Sequence, residues 1–166
     1  MKVVFSHGKE SGPWGKKIKK LAETAQGRGF DVESIDYREV DSPDERARLL
    51  ENNLHGTPAN VVLVGSSMGG YVSVVASHGI PVRGLFLLAP ALFMSNYEVN
   101  RYEPKTDHIE LVHGWRDNVI PVENSIKFAQ EFGCPLHILE DDHRLNGSIG
   151  VIAGLFDLFL QKLSTD

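Results

Sequence analysis

Six short apolar runs punctuate the chain, at Val3–Phe5, Val32–Ile35, Val61–Val64, Leu85–Leu88, Ile109–Val112 and Leu136–Leu139. Runs such as "VVLV" and "LFLL" do not alternate apolar with polar residues, the pattern of strands covered on both faces. Between most of them lie segments of helical period. Ile18, Leu21, Ala22 and Ala25 fall at i, i+3, i+4 and i+7 after Pro13, and predict a first helix. Ser42 and Glu45 have capping-box spacing around Pro43, with Gly56 as the stop of a second helix. Ser67 to His78 predicts a third helix ending at Gly79. Val122, Ile126 and Ala129 predict a fourth, closed by Gly133. Ile149, Ile152, Ala153, Phe156, Leu160 and Leu163 predict a long last one.

Strand–helix alternation with right-handed crossovers predicts an α/β fold: a three-layer, doubly wound sandwich with a mainly parallel six-stranded sheet. No repeat or linker divides residues 1–166, so one domain is expected. In such sheets function gathers beyond the carboxyl ends of the strands, here near Ser6, Tyr37, Gly65, Ala89, His113 and Glu140. The segment from Ala89 to His108 is the one long connection, about twenty residues with little periodicity.

Composition narrows the function classes. Lys plus Arg number 17 against 22 Asp plus Glu, a net charge of −5 that argues against a nucleic-acid partner. Lys16, Lys17, Lys19 and Lys20 surround Ile18 and read as a solvated helix face. The single cysteine, Cys134, excludes an internal disulfide and a cysteine-rich zinc site. No apolar run reaches the roughly 18 residues of a membrane span, and "MKVVFSHG" does not read as a signal peptide. A cytoplasmic location is the resulting expectation.

Gly65-Ser66-Ser67-Met68-Gly69 fits G-x-S-x-G between a buried strand and a helix. The central residue is forced into a strained backbone conformation that lifts its side chain above the sheet. Side chains two positions to either side would collide, so glycine stands at both. The register singles out Ser67 over Ser66 as a nucleophile, with the helix N-terminus aimed at a developing oxyanion. The competing reading, a phosphate-cradling turn, lacks both G-x-G-x-x-G and G-K-[ST]. A serine hydroxyl needs a base. Of the seven histidines, His7, His113 and His143 stand at strand carboxyl ends, whereas His55, His78, His108 and His137 do not. A metal site of His113, Asp117, Asp142 and His143 lacks any recognised ligand spacing, so neither metal nor cofactor is expected.

Three stretches, "VVFSHGKESGPWG", "VGSSMGG" and "LVHGWRDNVIP" followed by "DDHRL", resemble the α/β-hydrolase superfamily. The likeness is strongest to its small single-domain serine esterases and thioesterases without a cap. The superfamily's chain order of serine, acid, histidine implies Ser67, Asp117 and His143 as the triad. Members whose acid follows the preceding strand leave Glu98, Glu103 and Asp107 as alternatives to Asp117. Asp141 and Asp142 read as solvated loop charges. The resemblance also implies backbone N–H groups of Lys9 and Met68 as oxyanion donors, with His7 bracing the turn. His113 reads as a structural hydrogen-bonding group. Trp14, Leu92, Phe93 and Trp115 are candidate substrate contacts, each with packing as the competing role. The implied reaction is hydrolysis of a small-molecule ester or thioester with a short or exposed acyl group. Two other classes are a partner-binding protein on the same scaffold and a flavodoxin-like nucleotide binder.

Overall fold

The computed structural model describes residues 1–57 and 59–165. In chain order its elements are β1 (Lys2–Ser6), α1 (Lys16–Gly27), β2 (Asp31–Ile35), α2 (Pro43–Leu54), β3 (Val61–Ser66) and α3 (Met68–Gly79). They continue as β4 (Gly84–Leu88), β5 (Ile109–Gly114), α4 (Val122–Phe132), β6 (Leu136–Leu139) and α5 (Ile149–Thr165). Every apolar run read from the sequence is a strand, and every periodic segment is a helix.

The strands pair in the order β2-β1-β3-β4-β5-β6, and every neighbouring pair is parallel. The order reverses direction at β1, so a crevice opens between the loops leaving β1 and β3. Alternate residues of the central strands feed two cores. Val3, Phe5, Val62, Val64, Phe86 and Leu88 pack with Ile18 and Leu21 of α1 and Phe156 and Leu160 of α5. Val4, Leu63, Leu85, Leu87 and Leu111 pack with Leu50 of α2, Tyr71 of α3 and Phe128 of α4. Two helices therefore cover one face and three the other.

Helix ends follow local chemistry. Ser42 Oγ accepts the Glu45 N–H at 3.2 Å, and Pro43 occupies the first turn of α2. Gly133 closes α4 in the left-handed conformation, φ 60°. The segment 89–108 contains no helix or strand and forms no cap. Tyrosines stitch it down instead. Tyr102 Oη accepts the Phe93 N–H at 2.9 Å, and Tyr71 Oη accepts the Val99 N–H at 3.0 Å. Tyr71 Oη in turn donates to the buried Asp44 carboxylate.

Candidate active site

The corner after β3 is built as the glycine register requires. Ser67 sits at φ 56°, ψ −120°, a region costly for a residue with a Cβ. Backbone bonds hold it there: its N–H donates to Leu88 O at 2.9 Å, and its carbonyl accepts the N–H groups of Gly70 and Ala91, each at 2.9 Å. A Cβ on Gly65 would lie 2.2 Å from Gly69 O, and one on Gly69 would lie 1.9 Å from Ser6 O. Both contacts are with backbone, so any larger residue would displace the turn.

Three side chains from separate loops converge at this corner. Ser67 Oγ lies 3.0 Å from His143 Nε2, and His143 Nδ1 lies 2.7 Å from Asp117 Oδ2. Asp117 Oδ2 only accepts, so Nδ1 carries the proton and Nε2 is left to accept from the serine hydroxyl. The Asp117 side chain is fully buried. Its Oδ1 accepts the N–H groups of Val119 and Ile120, each at 2.8 Å. Burial alone would raise its pKa, but hydrogen bonds from Ile120, His143 and Val119 outweigh it and hold the carboxyl below the usual value.

The His143 loop is anchored on both sides. Leu145, at φ 55°, is fully buried in the core shared by α1 and α5. Asp141 is buried as well, not solvated as its loop position suggests. Its Oδ1 accepts the Asp142 N–H and its Oδ2 the Ser148 N–H, each at 2.8 Å, which ties the loop to the start of α5. Asp142 is exposed and caps the Arg144 N–H at 2.8 Å, so it joins no cluster with His113, Asp117 and His143. Glu98 and Glu103 pair on the surface with Arg48 and Arg101, and Asp107 is exposed. None of these three meets His143.

The other strand-end histidines have full sets of partners. His7 Nδ1 donates to Gly8 O at 2.7 Å, and its Nε2 accepts the Tyr37 N–H at 3.0 Å. Burial lowers its pKa, so it is neutral near pH 7. His113 is fully buried, with Nδ1 2.7 Å from Ser125 Oγ and Nε2 3.1 Å from Ile120 O. Its Nε2 also lies 3.0 Å from Asp117 Oδ2, a contact with the acid that its spacing in the chain does not announce.

The proposed substrate contacts divide. Leu92 is completely buried in the core beneath the 89–108 loop and has no surface to offer a ligand, which corrects its candidacy. Phe93 is half-buried, its ring 5.1 Å from that of Tyr102 and 4.0 Å from the Lys127 ammonium. Trp14 and Trp115 are exposed, and Trp115 lines a hollow of about 310 Å³ with Asn118, Val119 and Pro121 beside the acid loop. Lys17 departs from the solvated face of its neighbours. It is half-buried towards Asp141, Asp117 and Asp142, and desolvation pulls its pKa down to about 8.

A comparison with family models matches residues 3–133 to the alpha/beta hydrolase family. The chain belongs to that family. Among solved structures, one from Xanthomonas campestris pv. campestris, assigned to the alpha/beta superfamily of hydrolases, is 29% identical with a TM-score of 0.89. The match covers 97% of this chain and 98% of that one. Est1E from Butyrivibrio proteoclasticus is 16% identical with a TM-score of 0.81, over 99% of this alpha/beta hydrolase and 88% of Est1E. XC6422 from Xanthomonas campestris, described as a serine hydrolase without lid, is 15% identical with a TM-score of 0.77, covering 97% and 81%. Comparison with curated protein sequences returned no match. Among the described residues of this hydrolase, no helix is long and apolar enough to cross a membrane.

Proposed function

We propose that this alpha/beta hydrolase cleaves carboxylic esters or thioesters through an acyl-enzyme on Ser67. The observation that carries this reading is the unbroken relay Ser67 Oγ, His143, Asp117, at 3.0 and 2.7 Å, on a serine held at positive φ.

His143 Nε2 takes the hydroxyl proton as Ser67 Oγ bonds to the acyl carbon, and the carbonyl oxygen gains the electron pair. Asp117 stabilises the imidazolium and keeps its Nδ1–H in place. The tetrahedral oxyanion sits between the backbone N–H groups of Met68 and Lys9. Neither N–H donates to any acceptor among the described residues. Met68 follows the serine in the chain, and Gly8, which precedes Lys9, approaches it so closely that a Cβ there would lie 3.4 Å from Ser67 Cβ. Collapse expels the alcohol or thiol, which receives the proton from His143. Water then repeats the sequence on the acyl-enzyme, releasing the acid and regenerating Ser67. Substrates with short or exposed acyl groups fit strand ends left open by a segment that forms no cap.

Purified protein is assayed with p-nitrophenyl acetate and butyrate and treated with a fluorophosphonate probe. Ser67→Ala should lose both turnover and labelling, by about 10³-fold or more, while Ser66→Ala retains them. A folded wild type that neither turns over these esters nor takes the probe overturns the reading and leaves a scaffold for partner binding.

A further inference from the structure

Arg46 of α2 is the largest fully buried side chain among the described residues, 1% exposed, and it makes no ion pair there. Asp44, two residues earlier, is occupied by Tyr71 Oη and the Glu98 N–H. Tyr37, whose ring lies 5.4 Å from the guanidinium carbon, is no counter-ion, because burial pushes its phenol up to about 12. Asp41 attracts the guanidinium through space but forms no ion pair with it. An arginine buried without a directly paired carboxylate costs stability, so packing alone does not account for it.

Its two hydrogen bonds go to backbone carbonyls. Nε donates to Val40 O at 2.5 Å, and Nη1 donates to Gly8 O at 3.4 Å. That second carbonyl also accepts His7 Nδ1–H at 2.7 Å, so both of its lone pairs face donors. The Gly8 carbonyl belongs to the same planar peptide as the Lys9 N–H. In a trans peptide the two point in opposite directions. Drawing Gly8 O towards Arg46 and His7 therefore turns the Lys9 N–H away from them. The nucleophile stands against the same residue: a Cβ on Gly8 would lie 3.4 Å from Ser67 Cβ. The flipped peptide would aim a carbonyl at the developing oxyanion and break both bonds. A charged donor on the carbonyl also polarises the peptide, which strengthens its N–H as a donor.

The geometry points to Arg46 as a positioning residue that, with His7, locks the Gly8–Lys9 peptide in the orientation that donates to the oxyanion. This rests on the serine-hydrolase reading of Ser67. Arg46 touches neither substrate nor Ser67, and its effect travels through one peptide plane.

The test compares wild type, Arg46→Met and Arg46→Lys with p-nitrophenyl acetate and with phenylboronic acid. The boronic acid adds to the serine oxygen and places a tetrahedral oxygen where the oxyanion forms. Arg46→Met should lower kcat about 30-fold, somewhat less than outright loss of an oxyanion donor, with KM little changed. The inhibition constant of the boronic acid should rise by the same factor. Arg46→Lys keeps the charge but lacks the fork that reaches both carbonyls, and should fall between. Thermal unfolding fixes the folded fraction of each variant, so loss of enzyme is separated from loss of rate. If Arg46→Met does not fold, Arg46→Lys decides alone. Wild-type kcat in the folded variant, or a fall in kcat with unchanged boronic acid affinity, overturns the lock. A wild type without turnover or fluorophosphonate labelling removes the serine-hydrolase reading itself, and the lock with it. An active wild type with an unimpaired Arg46→Met removes the lock alone.

Discussion

His113 and His143 approach the same oxygen of one carboxylate: Asp117 Oδ2 lies 3.0 Å from His113 Nε2 and 2.7 Å from His143 Nδ1. The two imidazoles differ in exposure. His143 keeps 19% of its side chain accessible at the serine, whereas His113 is completely enclosed between β5 and α4. His113 thus fixes the acid from behind while His143 meets it from the front.

His113→Phe preserves ring volume and removes both nitrogens. We expect kcat to fall about tenfold, the scale of one hydrogen bond to a charged group. Stability should fall by about 1–3 kcal/mol, because Ser125 Oγ loses its buried acceptor. The pH dependence has a definite sign. Burial holds the folded His113 pKa below its ordinary value of 6.5, so the unfolded chain binds the proton first. The stability this group contributes is present above pH 6.5 and is lost as pH falls through the lower folded value. Urea denaturation from pH 7 to 5 should show that slope in the wild type and a shallower one in His113→Phe. His7, also lowered, leaves the variant a residual slope.

Glycine substitutions should separate close approach from helix propensity. Gly65→Ala and Gly69→Ala force a Cβ against backbone at 2.2 and 1.9 Å, so each should abolish fluorophosphonate labelling and destabilise the fold. Gly154, on the exposed side of α5, has nothing within 4 Å of such a Cβ. Gly154→Ala should raise stability by about 0.5–1 kcal/mol and leave labelling intact. Labelling retained at wild-type rate in Gly65→Ala would refute the steric account of the corner.

Lys17 supplies a test in alkaline solution. Its folded pKa of about 8 lies below the ordinary 10.5, so the folded state disfavours the ammonium. That penalty is complete below about pH 8 and is relieved as pH rises towards 10.5. Lys17→Met should therefore melt higher than wild type at pH 7, with the gap closing by pH 10. A variant that melts lower at pH 7 would mean that attraction to Asp141, Asp117 and Asp142 outweighs desolvation.

The parts of the site legible in the chain are those set by neighbours in sequence. Gly65 announces Ser67 because the clash it avoids, with Gly69 and Gly70, lies within five residues. Gly69 completes the register, although the backbone it clears is Ser6 at the end of β1. Gly133 announces the end of α4 because its left-handed φ suits glycine. Residues whose role depends on distant packing carried no such mark. Arg46 sits in a helix as a charged residue normally exposed. Only in the folded chain does it meet Gly8 O from the loop after β1, and Val40 O and the Tyr37 ring from the loop after β2. Lys17 is one of four similar lysines, and the fold alone turns it towards Asp141. Leu145 had a faint signal, a lone apolar residue within "DDHRLNGS", whereas Asp141 had none.

By itself the sequence determined the strands, the helices, their order and the serine at the strained corner, because period, caps and steric exclusion act over a few residues. Tertiary structure decided which groups meet that serine. Ser67 and His143 are 76 residues apart, and His143 and Asp117 are 26 apart. The parallel order β3-β4-β5-β6 brings the loops after β3, β5 and β6 to one edge of the sheet. Their distances are set by the packing of Leu145 and Asp141 and by the contact of His113 with Asp117. The two contacts of the relay itself are long-range, and they exist only once both faces of the sheet are covered.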